Sequence, residues 1–172
     1  MERFKKLIRE VPDFPEKGIL FYDITTLLKD PVGFQEVLNA LYEKVKDRKI
    51  DKVAAIESRG FIFGSYLAAK LNAGLVLIRK PGKLPADKIS ESYSLEYGKN
   101  TIEIHEDGIT KGDSVLLMDD LLATGGTLNA GVNLIERLGG HVDTILILIE
   151  LEFLKGREKL KEGLRVETLL TY

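Results

Sequence analysis

The sequence predicts an α/β fold: a mainly parallel, twisted sheet flanked by helices, in one domain over residues 1–172. Three observations predict it. Short apolar runs alternate with segments of helical periodicity, the pattern of βαβ units. The polar clusters Glu57-Ser58-Arg59-Gly60, Arg79-Lys80 and Asp119-Asp120 each fall where a predicted strand ends, and open α/β sheets bind ligands beyond the carboxyl ends of their strands. Finally, 172 residues with 44% hydrophobic and 30% charged side chains describe an ordinary globular chain able to bury one core.

The elements follow in chain order. Phe4 to Ile8 is a basic amphipathic turn, and residues 11–18 carry Pro12, Pro15 and Gly18, which break any helix. Residues 19–24 read as a short extended piece. Asp30-Pro31 is a helix start, because Pro suits the first helical position. Phe34, Val37, Leu38, Leu41, Tyr42 and Val45 then repeat at helical spacing, predicting a helix over 31–48. A buried strand over 53–56, a helix over 60–71 and a strand over 74–79 follow. Residues 80–88 form a Pro/Gly/Lys loop, and 90–97 and 101–105 read as two strands joined through Gly98-Lys99-Asn100. After a turn at Lys111-Gly112 come a strand over 114–118, a helix over 126–138 ended by Gly139-Gly140, and an apolar strand over 142–150. A short helix over 153–161 and a strand over 164–171 complete the pattern.

The most informative stretch is Val115 to Thr127. An apolar strand ends in Asp119 and Asp120, and a loop, Ala123-Thr124-Gly125-Gly126-Thr127, leads into a helix. Backbone N–H groups at such a loop and the helix dipole favour a phosphate, the glycines let the backbone approach closely, and paired carboxylates accept hydrogen bonds from vicinal hydroxyls. The arrangement suits a phosphorylated sugar. An ordinary nucleotide P-loop is excluded because its GKS/T lysine is missing. Ser58 is a candidate helix N-cap. Arg59 beside it opposes the helix dipole, which points to an anionic partner. Arg79, Lys80, Lys83 and Lys88 form a basic island. Arg79 and Lys80, at a strand end, suit a phosphate by fork and by point charge, while Lys88 reads as solvated. His105 and His141 have no metal-like partner at close spacing and read as structural or solvated.

The Val115–Thr127 run resembles the phosphoribosyl pyrophosphate (PRPP) signature of the type I phosphoribosyltransferases, matched by Asp119, Asp120 and Ala123-Thr124-Gly125-Gly126-Thr127. The resemblance implies that the two acids hold the ribose 2′- and 3′-hydroxyls and that the loop holds the 5′-phosphate. Glu57-Ser58-Arg59-Gly60 resembles the family's pyrophosphate loop, and Arg79, Lys80 and Lys83 join it as PRPP-binding candidates. Ser92-Tyr93-Ser94-Leu95-Glu96-Tyr97-Gly98 is similar to the flexible lid of one branch, the adenine phosphoribosyltransferases, within a lid loop at 80–100. There Glu96 inherits the role of general acid/base and Tyr97 a contact to the reacting ribose or pyrophosphate. Arg59, Lys80 and Arg79 inherit charge neutralisation on the leaving pyrophosphate. Residues 11–24, within a segment 1–32, resemble the branch's "hood" over the base. Leu20 and Tyr22 would offer main-chain hydrogen bonds to adenine, and Phe21 would stack on it or pack beside it. Arg-Gly-Phe at 59–61, residues 79–85 and Leu-Lys-Gly-Arg-Glu-Lys-Leu at 154–160 extend the resemblance to nearly the whole chain.

The implied reaction joins adenine to PRPP, releasing AMP and pyrophosphate. Mg²⁺ would arrive on PRPP rather than in a cage of protein ligands. A homodimer is the family expectation. Other readings are a phosphoribosyltransferase for guanine, hypoxanthine or xanthine, and a PRPP-sensing regulator. The net charge of −2 and pI near 5.8 argue against a nucleic-acid partner. Zero cysteine excludes disulfides and thiol catalysis and fits a cytoplasmic location. The N-terminal residues have no signal-peptide pattern, and no apolar run is long enough to span a membrane.

Overall fold

A computed structural model describes residues 2–94 and 99–172. Five strands form one parallel sheet in the order β4-β3-β7-β8-β9: β3 (Lys52–Ile56), β4 (Gly74–Ile78), β7 (Ser114–Leu122), β8 (His141–Glu150) and β9 (Val166–Thr171). Its inner strands are apolar on both faces because both faces are covered. Along β7, Leu116 and Met118 enter the core under α3 (Pro31–Glu43) and α4 (Gly60–Leu71), and Val115 and Leu117 enter the core under α5 (Gly126–Arg137). Alternate side chains of one strand thus build two cores.

Two small antiparallel units flank the sheet. β1 (Arg9–Pro12) pairs with β2 (Leu20–Asp23), and β5 (Lys88–Ser94) pairs with β6 (Lys99–His105). The first carries the predicted hood. Its start, including α1 (Glu2–Lys5), is followed by a strand rather than only the predicted turns. Pro12 is tolerated because it ends a strand of a two-stranded ribbon. The unit is pinned to α2 (Thr25–Leu28): Asp23 accepts from the Thr25 N–H at 2.8 Å and pairs with Arg9, and the Thr26 hydroxyl donates to Leu7 O at 2.7 Å. The backbone bond to Thr25 and the Arg9 bond hold the Asp23 carboxyl down at about 2.

Several boundaries differ from the sequence pattern for local reasons. α3 starts as predicted, with Asp30 accepting from the Gly33 N–H at 2.7 Å, but ends at Glu43. Beyond it, Lys44 and Val45 bond to Leu41 O and Tyr42 O in a tightened turn that still buries Val45. The helix expected over 153–161 is two 3-10 turns, Glu152–Leu154 and Arg157–Lys159, separated where Lys155 turns left-handed at φ 51°. β7 runs to Leu122, so Asp119 and Asp120 lie inside the strand rather than just past its end. Among the described residues, no helix is long and apolar enough to cross a membrane.

Candidate active site

The strand order explains where a ligand goes. From β3 the chain runs through α4 to β4 on one side, and from β7 it runs through α5 to β8 on the other. The connections diverge between β3 and β7, the topological switch point where open α/β sheets form a crevice. The edges of β7 are unequal there. Pairing with β3 stops at Ala55–Met118, whereas pairing with β8 continues through Asp119–Ile147 to Leu122–Glu150. Asp119 and Asp120 are therefore strand residues on one edge and open on the other. Both line a cavity of about 620 Å³.

The acid pair is buried, at 8% and 6% exposure. Burial pushes Asp119 well above the usual carboxylate range, and the charge of Asp120 adds to it. Burial also raises Asp120, although Arg59 pulls it back, with its Nε 2.9 Å from Asp120 Oδ2. Asp119 Oδ1 accepts from the Asp120 N–H at 2.8 Å. Gly60 is required behind them: a Cβ there would lie 2.9 Å from Met118 O and 3.3 Å from Asp119 Oδ1.

The glycine-rich loop forms the next wall. Ala123, Thr124, Gly125 and Thr127 line the cavity. Gly125 is the N-cap of α5 at φ 83°, a conformation that glycine adopts freely. Gly126, the first residue of α5, is not a lining residue. The Thr127 hydroxyl donates to the Tyr93 hydroxyl at 2.9 Å, which brings β5 to the loop.

Opposite lie Glu57, Ser58, Arg59 and Lys80, all cavity-lining. The Glu57–Ser58 peptide is cis. Ser58 is not the N-cap of α4; that position is Arg59, and no side chain caps it. The anionic neighbour that Arg59 called for is Asp120, and its guanidinium also lies 5.3 Å from the Phe21 ring centroid. Arg79 is turned inward. Its Nε and Nη2 reach the Glu57 carboxylate at 3.2 and 3.3 Å, and its Nη1 donates to Lys83 O at 3.1 Å. Burial pulls Glu57 upward, but the Lys80 N–H and Arg79 together hold it below its ordinary value. Neither Arg79 nor Lys83 lines the cavity, and the Lys83 side chain is exposed. Among the described residues, Lys80 and Arg59 are the cations facing it.

The hood residues stand beside the cavity rather than in its wall. Leu20, Phe21 and Tyr22 lie on β2. Phe21 packs edge-on against Phe14 at 5.1 Å and meets Arg59, so a path runs from hood through Arg59 to Asp120. The Tyr22 ring packs on Tyr172 at 4.2 Å, which leaves its main chain as the available contact. Glu96 and Tyr97 lie outside the described residues. Tyr93, Asn100 and Thr101 line the cavity although the motifs did not single them out as ligand contacts. The alternation Ser92-Tyr93-Ser94 is the signal that marks Tyr93.

The phosphoribosyl transferase domain family model matches residues 23–162. Fold, acid pair and loop define a phosphoribosyltransferase of type I architecture. The chain is 57% identical over 166 residues to an adenine phosphoribosyltransferase of Halothermothrix orenii, covering 96% of this chain and 97% of that one. It matches the crystal structure of the Thermoanaerobacter pseudethanolicus adenine phosphoribosyltransferase with a TM-score of 0.96 and 50% identity, covering 99% of each chain. A Saccharomyces cerevisiae adenine phosphoribosyltransferase, crystallised with an imino-altritol bisphosphate and adenine, matches at a TM-score of 0.91 and 39% identity over 98% of this chain and 97% of that one. The chain belongs to the adenine phosphoribosyltransferase family, a group of pentosyltransferases.

Proposed function

We propose that this cavity is where the chain transfers the 5-phosphoribosyl group of PRPP to adenine, giving AMP and pyrophosphate in purine salvage. The observation that carries the reading is the convergence of a buried acid pair, a glycine-rich helix start and two cations on one cavity at the switch point. Asp119 and Asp120 accept hydrogen bonds from the ribose hydroxyls, and the 123–127 loop receives the 5′-phosphate. Thr127 has one proton. If Tyr93 reverses the bond and donates to it, that proton is free for a phosphate oxygen.

The pyrophosphate lies on the Ser58, Arg59 and Lys80 side. Arg79 and Glu57 act behind it: their pairing and the Lys80 N–H bond to Glu57 fix the turn that presents Lys80. As the C1–O bond loosens, its electron pair passes to the pyrophosphate, and Arg59 and Lys80 neutralise the growing charge. Adenine N9 attacks C1 from the other face, held by the main chain of Leu20 and Tyr22 with Phe21 beside it. Leu20 and Tyr22 have the same parity on β2, so their backbone groups point the same way. Glu96 takes the base's proton. Tyr97 contacts the reacting ribose or pyrophosphate, and the lid keeps water from the reactive ribose.

Mg²⁺ fits this cavity as a passenger on PRPP. It is a hard cation that keeps water and phosphate oxygens as ligands, and the cavity-lining carboxylates of Asp119 and Asp120 would accept hydrogen bonds from its waters. When bound it offsets the pyrophosphate charge. The homodimer and the cytoplasmic location are carried over from the family resemblance.

Two measurements test this. With Mg²⁺ and PRPP, adenine alone among adenine, hypoxanthine, guanine and xanthine is expected to yield nucleotide. Product from another base would overturn the hood assignment, and PRPP binding without any product would favour a regulator. Glu96→Gln is expected to lower kcat by roughly a hundredfold with little change in either KM. An unaltered kcat would remove its proton role.

A further inference from the structure

The motif Leu-Lys-Gly-Arg-Glu-Lys-Leu at 154–160 has no part in the chemistry above, yet it meets the glycine-rich loop back to back. A Cβ at Gly156 would fall 2.1 Å from Ala123 O and 2.9 Å from its carbonyl carbon. A Cβ at Gly125 would fall 2.6 Å from Gly156 O. Each glycine leaves room for a backbone carbonyl of the other segment, Gly156 for that of Ala123 and Gly125 for that of Gly156. Gly125 also needs its positive φ, but Gly156 has φ −62°, open to any residue. Space alone demands glycine at 156.

The segment is fastened on both sides of this contact. Asn129, in the first turn of α5, donates to Lys159 O at 2.7 Å and accepts from the Lys161 N–H at 3.1 Å. Arg157 reaches the buried Glu150 carboxylate at 2.8 Å, Val166 O at 2.9 Å and the Thr168 hydroxyl at 2.9 Å. One fastening ties the segment to the helix that begins at the loop, and the other ties it to the sheet. The loop is thus held between its own helix and a rigid backing.

We propose that residues 155–161 are the backing that sets the position of the 5′-phosphate loop, with Gly156 and Asn129 as positioning residues for phosphate binding. The inference rests on the assignment of 123–127 to the 5′-phosphate. Neither residue touches the ligand. Each acts by fixing where the N–H groups of the loop point, and a displacement of a few tenths of an ångström lengthens every bond to the phosphate together.

The test uses two probes that engage different walls of the cavity. Ribose 5-phosphate reports on the loop, and inorganic pyrophosphate with Mg²⁺ reports on the Ser58–Lys80 side. Calorimetric affinities are measured for the wild-type chain, Gly156→Ala and Asn129→Leu, with thermal unfolding alongside. Gly156→Ala is expected to weaken ribose 5-phosphate at least tenfold and leave pyrophosphate within about twofold. Asn129→Leu is expected to do the same more weakly, and it serves alone if Gly156→Ala does not fold. In turnover, the PRPP KM rises and the adenine KM stays. Unchanged ribose 5-phosphate affinity in a folded variant overturns the inference, as does equal weakening of both probes, which marks general loosening. If the wild-type chain itself fails to bind ribose 5-phosphate, the loop assignment falls first and the inference with it.

Discussion

Asp119→Asn is expected to weaken PRPP use and, at the same time, to stabilise the protein at neutral pH. The carboxylate sits at 8% exposure beside a second acid, and both burial and that neighbour push its pKa up. Its charged form is therefore less comfortable folded than unfolded. In the window above the ordinary carboxylate value, the folded chain still holds the proton that the unfolded chain has lost. Stability falls as pH rises through that window and stays lowered above it. Asparagine removes the charge and the loss. It also weakens an acceptor of the ribose site, and a hydrogen bond is worth about 0.5–1.5 kcal/mol net, roughly a two- to tenfold rise in PRPP KM. Initial-rate kinetics and thermal unfolding at pH 7 and pH 4 check both halves. The stability gain is expected at pH 7 and should shrink at pH 4. Asp120→Asn should raise KM similarly without the gain, because it leaves Arg59 without its 2.9 Å partner. An unchanged KM in both variants removes the ribose assignment, and equal stability at pH 7 for Asp119→Asn removes the account of the buried charge.

Arg157→Met is expected to destabilise the fold strongly. Glu150 is 4% exposed at the end of β8, and Arg157 and Thr168 satisfy its carboxylate. Without the guanidinium, the carboxylate stays buried with one hydroxyl donor. Breaking a buried pair from one side costs about 3–5 kcal/mol. The lower end applies, since Thr168 remains and the Arg157 side chain is 44% exposed. For a chain of this size, about 3 kcal/mol lowers Tm by roughly 6–12 °C. The sign with pH is opposite to that for Asp119. The Arg157 hydrogen bond holds Glu150 below its ordinary value despite burial. The pair's contribution is complete above the ordinary carboxylate value and is lost as pH falls through the depressed one. Wild-type and variant melting curves should therefore converge in acid. Adding Glu150→Gln should recover part of the loss at neutral pH, since no unpaired charge is then buried. A neutral-pH Tm within a degree of wild type would refute the pair's structural role.

What could be read from residues alone was whatever is local. The apolar run of β7, its two acids and the glycine-rich loop are consecutive, so their order in the chain is their order in the site. The helix starts at Asp30-Pro31 and Gly126 are local for the same reason. The lengths of elements were less legible. β7 extends past the acids because β8 keeps pairing with it to Glu150, and the 154–160 motif breaks into two turns where Lys155 turns left-handed. Arg79 reads as a phosphate-ligand candidate from its place at a strand end, but its pairing with a carboxylate was not legible. Its partner, Glu57, lies 22 positions away on another strand end.

By itself the sequence determined the class of fold and the residue types of the candidate site, because periodicity and turn chemistry act over a few residues. The tertiary structure alone decided that β3 and β7 are neighbours whose connections diverge, which opens the crevice. It also decided that Arg59 meets Asp120, that Tyr93 meets Thr127, and that Gly125 and Gly156 must both lack a side chain. Each of these joins residues from different elements. Such contacts depend on how whole faces pack and which strands pair, and no local pattern of side chains carries that information.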